Sequence, residues 1–264
     1  MPQTMTMHSD VADTTTRPAI RKIAVADLRD VLRQGWDDFL AIPTPLIFLC
    51  LLYPMIGLVA ARAAEGNDLV PLLFPLVAGM ALLGPVLAVG VYELSRRREL
   101  GLPVSWLNAF DVLRSPALDS IVLVGCMLLA VFVAWLLAAR MIYGLTLGSA
   151  PPASVGEFAR RVFGTPGGLD LALLGNAVGA VFSIVVLTLT VVSVPMLLDR
   201  QVPVGLAIKT SIRAVLANPA AMLVWGVLVA AILVLGCLPL FIGLAVAMPV
   251  LGHATWHLYR RVVA

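Results

Sequence analysis

Two histidines, His253 and His257, have the spacing in this chain that most suggests chemistry. They are four residues apart, so on a helix they lie on one face. Such a pair can bind a metal ion or help to ligate a haem. A metal site needs a third or fourth ligand at the same depth, which a lone pair does not supply. The alternative is two hydrogen-bonding imidazoles in an aromatic belt beside Tyr259. We expect the latter, so no metal or cofactor is predicted.

Two carboxylates, those of Glu93 and Asp199, lie near the ends of apolar stretches. Ionisable residues at membrane depth are functional candidates by default. Each of the two has an arginine within one helical turn, so charge pairing at the membrane interface is the favoured interpretation and a proton relay is the alternative. A contact between Glu93 and His257 is also conceivable.

Asn176 is the most deeply placed strongly polar residue. Gly175 and Gly179 flank it, and Ser183 follows. Small residues at this spacing let two helices approach closely, and an amide can bond across the gap. Helix packing is therefore the favoured role of Asn176, with substrate binding as the alternative.

The elements that carry these residues are six long apolar stretches. A span of the bilayer core needs about 20 apolar residues in a helix. Of the 264 residues, 61% are hydrophobic and 12% are charged, whereas a soluble domain has about 25% charged residues. The fold class is therefore all-α, a polytopic membrane protein. The six spans are predicted at Pro43–Ala61, Leu69–Tyr92, Ala117–Ala139, Leu171–Leu198, Pro219–Gly236 and Leu238–Leu258.

The last two spans form one apolar run over 219–258, interrupted only around Gly236 and Pro239. As a single helix this run would be about 60 Å long, twice the thickness of the hydrocarbon core. We therefore predict a tight hairpin at Gly236 and Pro239.

The distribution of Lys and Arg predicts the orientation. With the N-terminus inside, 14 of the 18 basic residues lie in inner segments and four in outer loops. This positive-inside bias places both ends of the chain in the cytoplasm. The basic residues sit at the ends of apolar segments, where they anchor the spans, so the net charge of +3 does not indicate nucleic-acid binding.

Residues 1–20 are predicted to be a disordered tail and residues 21–264 the membrane domain. An amphipathic segment, Ile23–Leu40, precedes the first span and should lie at the interface or pack under the bundle. Its Asp37 and Asp38 are expected on a solvated face, within reach of Arg33.

The chain also contains an internal repeat. The sequence PVLAVGVYELSRRR at 85–98 aligns without a gap with PVLGHATWHLYRR at 249–261. Short amphipathic segments end at prolines that open the odd spans: Pro43, Pro116 and Pro219. Proline disfavours helix in the residue before it and is accepted in a helix's first turn. We predict three parallel units, each an interfacial helix plus a transmembrane hairpin, at about 23–98, 103–200 and 204–261.

The two aligned runs resemble a signature of an uncharacterised bacterial membrane family, domain of unknown function 2189. The resemblance extends from about Ile23 to the C-terminus. It implies a location in the bacterial inner (plasma) membrane, and it implies no activity, substrate or catalytic residue.

No phosphate-binding glycine loop, H-E-x-x-H or G-x-S-x-G motif occurs in the chain. We therefore expect a non-enzymatic protein in the lipid bilayer that supports, or assembles with, other membrane proteins or itself. The alternative is a transporter or channel for a small or lipidic solute, suggested by Pro85, Pro195 and Pro249 inside spans. A third hypothesis is a redox or metal enzyme built on His253 and His257.

Overall fold

The computed structural model describes residues 18–42, 67–150, 152–239 and 241–264. Within these residues every regular element is a helix, and one isolated bridge is the only β-type pairing. Four helical stretches are long and apolar enough to cross a membrane: Val70–Glu99, Leu118–Thr146, Pro166–Arg200 and Pro219–Cys237.

The α-helices of the described residues are numbered here in chain order. They are α1 (Asp27–Ala41), α2 (Leu73–Met80), α3 (Gly84–Leu87), α4 (Val89–Glu99), α5 (Leu118–Thr146), α6 (Val155–Gly164), α7 (Pro166–Thr190), α8 (Ser193–Arg200), α9 (Val204–Ala217), α10 (Pro219–Cys237) and α11 (Leu244–Val262). Short 3-10 helices occupy Asn67–Leu72, Ala81–Leu83 and Trp106–Arg114.

Four of the six predicted spans are thereby confirmed as long apolar helical stretches, which begin within five residues of the predicted starts and end one to seven residues after the predicted ends. The span predicted at Pro43–Ala61 lies outside the described residues, as does most of the predicted N-terminal tail. The segment predicted at Leu238–Leu258 contains a turn followed by α11, and it is not among the four candidates. The second half of α11 carries two histidines and two arginines, which lower its apolar character.

The hairpin predicted within 219–258 is confirmed. α10 ends at Cys237 and α11 begins at Leu244, with the two helices packed side by side. Gly236 and Gly243 face each other at the turn: a Cβ added to Gly243 would lie 2.8 Å from the Cα of Gly236. Any side chain at Gly243 would therefore force the two helices apart.

Short helical segments precede the spans at Leu118 and Pro219, as the sequence indicated. α1 begins inside the predicted Ile23–Leu40 segment and ends one residue beyond it. α1 packs on α11, the 3-10 helix Trp106–Arg114 packs on α4, and α9 packs on α7 and α8. Each of these segments thus contacts the closing helix of a different predicted unit, and the contacts run around the molecule in a ring.

The chain ends of the described structure are paired. Ile20 and Val263 form an antiparallel bridge. The Arg21 amide donates to the Val262 carbonyl (2.8 Å), and the Ala264 amide donates to the Ala19 carbonyl (3.0 Å). Residues 19–21 and 262–264 therefore lie on the same side of the molecule.

The core is concentrated at this end of the bundle. The largest side chains with almost no exposure include Trp225, Trp256, Tyr259, Leu258, Met196 and Leu197. In contrast, the spans present large apolar side chains outward along their length, among them Phe74, Leu137, Leu173, Val227 and Leu235. A bilayer would solvate such surfaces, since lipid tails are as apolar as the side chains themselves.

Candidate functional site at the charged end of the bundle

Three helices bring a set of polar residues together at the well-packed end: α1, α4 and α11. Gly35 of α1 lies directly against Ala254 of α11. A Cβ added to Gly35 would lie 2.6 Å from the Ala254 backbone nitrogen. The buried stripe of α1 is Leu28, Val31, Gly35 and Asp38, at helical spacing. A carboxylate thus lies on the buried face of this helix.

Asp38 is the centre of a buried network that we call the Asp38 cluster, comprising Asp38, Ser95, Arg98, His253 and His257. The Ser95 hydroxyl donates to Asp38 Oδ2 (2.7 Å), and His257 Nε2 lies 2.8 Å from the same oxygen. Arg98 Nη1 donates to Asp38 Oδ1 (2.9 Å). Since an ionised carboxylate only accepts hydrogen bonds, His257 must donate through Nε2.

The geometry also determines how His253 is protonated when it is neutral. His253 Nδ1 lies 2.7 Å from the Ser95 oxygen, whose single proton is already donated to Asp38. His253 must therefore donate from Nδ1, which leaves Nε2 as a bare acceptor in the neutral ring. His253 is completely buried, and Nε2 has no hydrogen-bond partner in the described structure.

Asp38 is held as a carboxylate. Burial by itself would raise its pKa, but the hydrogen bonds from His257 and Ser95 and the charges of the nearby imidazoles outweigh burial, so the pKa of Asp38 falls below its ordinary value of 3.8. The expectation of a solvated face at Asp37 and Asp38 is right for Asp37, which is exposed and lies 4.0 Å from Arg33. It is wrong for Asp38.

A second network adjoins the first and involves Asp199. The Tyr259 hydroxyl donates to Asp199 Oδ2 (2.6 Å), and Arg260 Nη1 lies 3.3 Å from the same oxygen. Arg260 Nε also donates to Glu99 (2.9 Å), which accepts from the indole of Trp256 (2.9 Å). These contacts join the end of α8 to the ends of α4 and α11.

Glu93 is buried, and both of its oxygens accept from Arg96 (2.7 and 2.9 Å). The conceivable contact between Glu93 and His257 is replaced by the pairing of His257 with Asp38. Asn176 is exposed on α7, and its amide donates to the Ala172 carbonyl of its own helix (2.8 Å). The structure therefore brings the two histidines together and leaves Asn176 apart from them, and the roles predicted for these residues remain predictions.

The two histidines and Asp38 form a hydrogen-bonded group. His257 Nε2 lies 2.8 Å from Asp38 Oδ2, whereas His253 Nδ1 lies 3.8 Å from that oxygen and is linked to it through the Ser95 hydroxyl. Within the described residues, no group of three or more His, Cys, Asp or Glu side chains is placed to hold a metal ion.

Three polar residues of this region were missed at the sequence level: Asp38, Ser95 and Asn218. Asn218 is buried; its Oδ1 accepts from the Ile23 amide (2.8 Å), and its Nδ2 donates to the Arg21 carbonyl (3.1 Å). The position of Asp38 on the stripe of Leu28 and Val31 is a signal that could have identified it. No local pattern marks the other two.

An open cleft of about 610 Å3, which we call the Asp38 cleft, lies over the cluster. Four arginines line it: Arg21, Arg98, Arg260 and Arg261. Carboxylates neutralise most of this charge, since Arg98 pairs with Asp38, Arg260 with Glu99 (2.9 Å), and Arg261 with Asp27 (3.2 Å) and Asp30 (3.5 Å). The cleft is therefore close to charge balance, and its groups chiefly tie the helices together.

The apolar helices and their outward-facing side chains define an integral membrane protein. Residues 73–199 match the model of a family described as predicted integral membrane protein (DUF2189). The resemblance read from the sequence is thereby confirmed over those residues, which include the run at 85–98. The run at 249–261 lies beyond the match. No curated protein and no solved structure matches the chain.

Proposed function

We propose that this protein is a non-enzymatic inner-membrane protein of bacteria that supports, or assembles with, other membrane proteins or with copies of itself. The observation that carries the proposal is the contrast between a densely paired polar end and bare apolar spans. In three of the four candidate spans only 22–24% of the apolar stretch is buried, against 56% in Pro166–Arg200. Most of the span surface is thus available to lipid or to a partner helix.

We further propose six spans arranged as three like-oriented units, with both ends of the chain in the cytoplasm. The ring of contacts between interfacial segments and closing helices supports the threefold scheme, because each unit would then touch its neighbour in the same way. The pairing of residues 19–21 with 262–264 supports an even number of crossings, because it puts both ends on one side. The excess of basic residues in the segments at that side supports a cytoplasmic location.

Copurification tests the assembly proposal. The full chain, extracted in mild detergent at native expression, should migrate in a complex larger than the detergent-bound monomer, and cross-linking through the exposed thiol of Cys126 should trap its partner. Recovery of a lone monomer with no cross-linked species would contradict it.

Reporter fusions at the two termini test the topology, and opposite locations would overturn the six-span scheme.

A transporter for a small or lipidic solute is the second candidate, favoured by broken helices. The stretch Val70–Glu99 is divided by a 3-10 segment and a further break at Ala88, near Pro85. Val191 and Val192 separate α7 from α8, near Pro195, whereas Pro249 lies inside the continuous α11. Broken helices often mark binding sites in transporters. Flux into proteoliposomes across a broad substrate panel tests this candidate, and absence of any flux would remove it.

A further inference from the structure

A second surface lies at the same end of the molecule, on α9. It is a groove of about 320 Å3 lined by Leu206, Lys209, Thr210, Ile212 and Arg213, which we call the α9 groove. Lys209 and Arg213 are four residues apart, so both side chains project on one face of the helix. α9 contains no acidic residue along its 14 positions.

The location of α9 fixes the depth of the groove. Asn218, immediately after α9, bonds to the backbone of Arg21 and Ile23, so α9 lies beside the segment that leads into α1. The next residue, Pro219, begins a candidate span. α9 therefore lies where the chain enters the membrane, at the level of the lipid headgroups. Leu216 on the same helix is 72% exposed, as suits a helix in contact with lipid.

The charges of the groove are not neutralised by the protein. Lys209 and Arg213 are both exposed, and among the described residues neither side chain takes part in an ion pair or a hydrogen bond. The arginines of the Asp38 cleft, by comparison, mostly have carboxylate partners. Two uncompensated cations beside apolar walls are complementary to a ligand that has an anionic head and a hydrocarbon tail.

We propose that the α9 groove binds an anionic phospholipid of the adjacent leaflet, with the lipid phosphate between Lys209 and Arg213 and an acyl chain along Leu206 and Ile212. Basic pockets next to membrane spans bind anionic headgroups in this way. Arginine can hold the phosphate through two parallel N–H groups, and lysine adds a point charge. The proposal does not depend on the function proposed above, because lipid binding here requires neither transport nor assembly.

The test is a titration of the purified full chain with phosphatidylglycerol in mild detergent, followed by native mass spectrometry. K209Q/R213Q should bind about 30-fold more weakly than the unmodified chain, because each basic residue near an anionic headgroup strengthens binding about fivefold. K209R/R213K, which keeps both charges, should bind as well as the unmodified chain. R29Q/R33Q removes two exposed charges from α1 at the same end of the molecule and serves as the matched control.

Three results would overturn the proposal. The first is unchanged binding in K209Q/R213Q, and the second is an equal loss in R29Q/R33Q, which would indicate a general charge effect. The third is equal affinity for phosphatidylcholine, which would show that the lipid's negative charge is not recognised. Melting temperatures of all variants confirm that each is folded before binding is compared.

Discussion

The Asp38 cleft and the α9 groove lie at the same end of this protein, and both contain basic side chains. They differ in whether those side chains are paired with carboxylates. In the cleft, a carboxylate accompanies nearly every arginine, and the pairs join helices far apart in the chain. In the groove, two cations have no carboxylate partner among the described residues. The first arrangement stabilises the protein internally, whereas the second leaves positive potential for something outside it.

This difference shows that a count of basic residues says little about their role. The positive-inside pattern includes both sets equally. The two sets of basic residues differ in burial and pairing. In the cleft, Asp38 has a side-chain exposure of 8% and accepts hydrogen bonds from the hydroxyl of Ser95, the imidazole of His257 and the guanidinium of Arg98. Variants that remove one partner should therefore have large effects at the cleft and small effects at the groove.

The largest effect is expected from Asp38→Ala. Arg98 and His257 would lose their carboxylate, and the Ser95 hydroxyl would lose its acceptor, so the free energy of unfolding should fall by about 3 kcal/mol. Asp37→Ala, one residue away, removes an exposed charge whose nearest partner is 4.0 Å distant and should cost at most about 0.5 kcal/mol. Reversible unfolding in mixed micelles measures both. Similar losses in the two variants would contradict the contrast drawn here.

Gly35→Ala should have the next largest effect. Its new Cβ would meet the backbone of Ala254, which cannot yield as a side chain tip can, so α1 must shift away from α11 at a cost of about 2 kcal/mol. Gly205→Ala in α9 is the control, because a Cβ there meets nothing within 4 Å. It should stabilise the protein slightly, by about 0.5 kcal/mol. The same unfolding assay checks both, and a neutral Gly35→Ala would mean that the two helices are not in such close contact.

Lowering the pH should reduce the difference in the free energy of unfolding between the unmodified chain and Asp38→Asn. The pKa of Asp38 is lower in the folded protein than its ordinary value of 3.8, so the carboxylate stabilises the fold above that pH and loses its effect as the pH falls through the folded pKa. The titratable and charged groups facing it are the imidazoles of His253 and His257 from α11 and the guanidinium of Arg98 from α4. Unfolding measured from pH 7 to pH 3 should show the gap between the unmodified chain and Asp38→Asn narrowing below about pH 4. A gap that widens in acid would contradict this sign.

The smallest effect on stability belongs to K209Q/R213Q. These side chains have no charged partner in the described structure, so the free energy of unfolding should change by less than about 0.5 kcal/mol in lipid-free detergent. A loss as large as that of Asp38→Ala would mean that the groove, too, serves the fold. This measurement uses the same variant as the lipid titration, and it separates stability from binding.

The long apolar helices were predictable from sequence, because span length and composition are set by the bilayer itself. The hairpin between α10 and α11 was predictable for a related reason: 40 apolar residues cannot fit as one span.

α6 was not predicted, although Ser154 and Glu157 have the spacing of a capping box. Ser154 Oγ accepts from the Glu157 amide (3.1 Å), and the Glu157 carboxylate accepts from the Ala153 amide (2.7 Å).

Only part of the Asp38 cluster was predictable from the sequence. The i, i+4 spacing of His253 and His257 identified two of its members, because it depends on one helix alone. Asp38 and Ser95 join them through the docking of α1 and α4 on α11, across sequence separations of 219 residues for His257 and Asp38 and 158 for Ser95 and His253. No local pattern in a single sequence contains such a contact.

The docking of α1 on α11 has a consequence for how the protein is made. A ribosome adds about 5–20 residues per second, so roughly 10–45 s pass between the synthesis of Asp38 and that of His257. Throughout that interval the α1 carboxylate has neither imidazole, and α1 lacks the surface of α11 on which it packs. Biogenesis therefore ends with a step in which α1, synthesised early, docks on α11, which is synthesised last. A chain whose synthesis stops before Leu244 would leave α1 without its main contact.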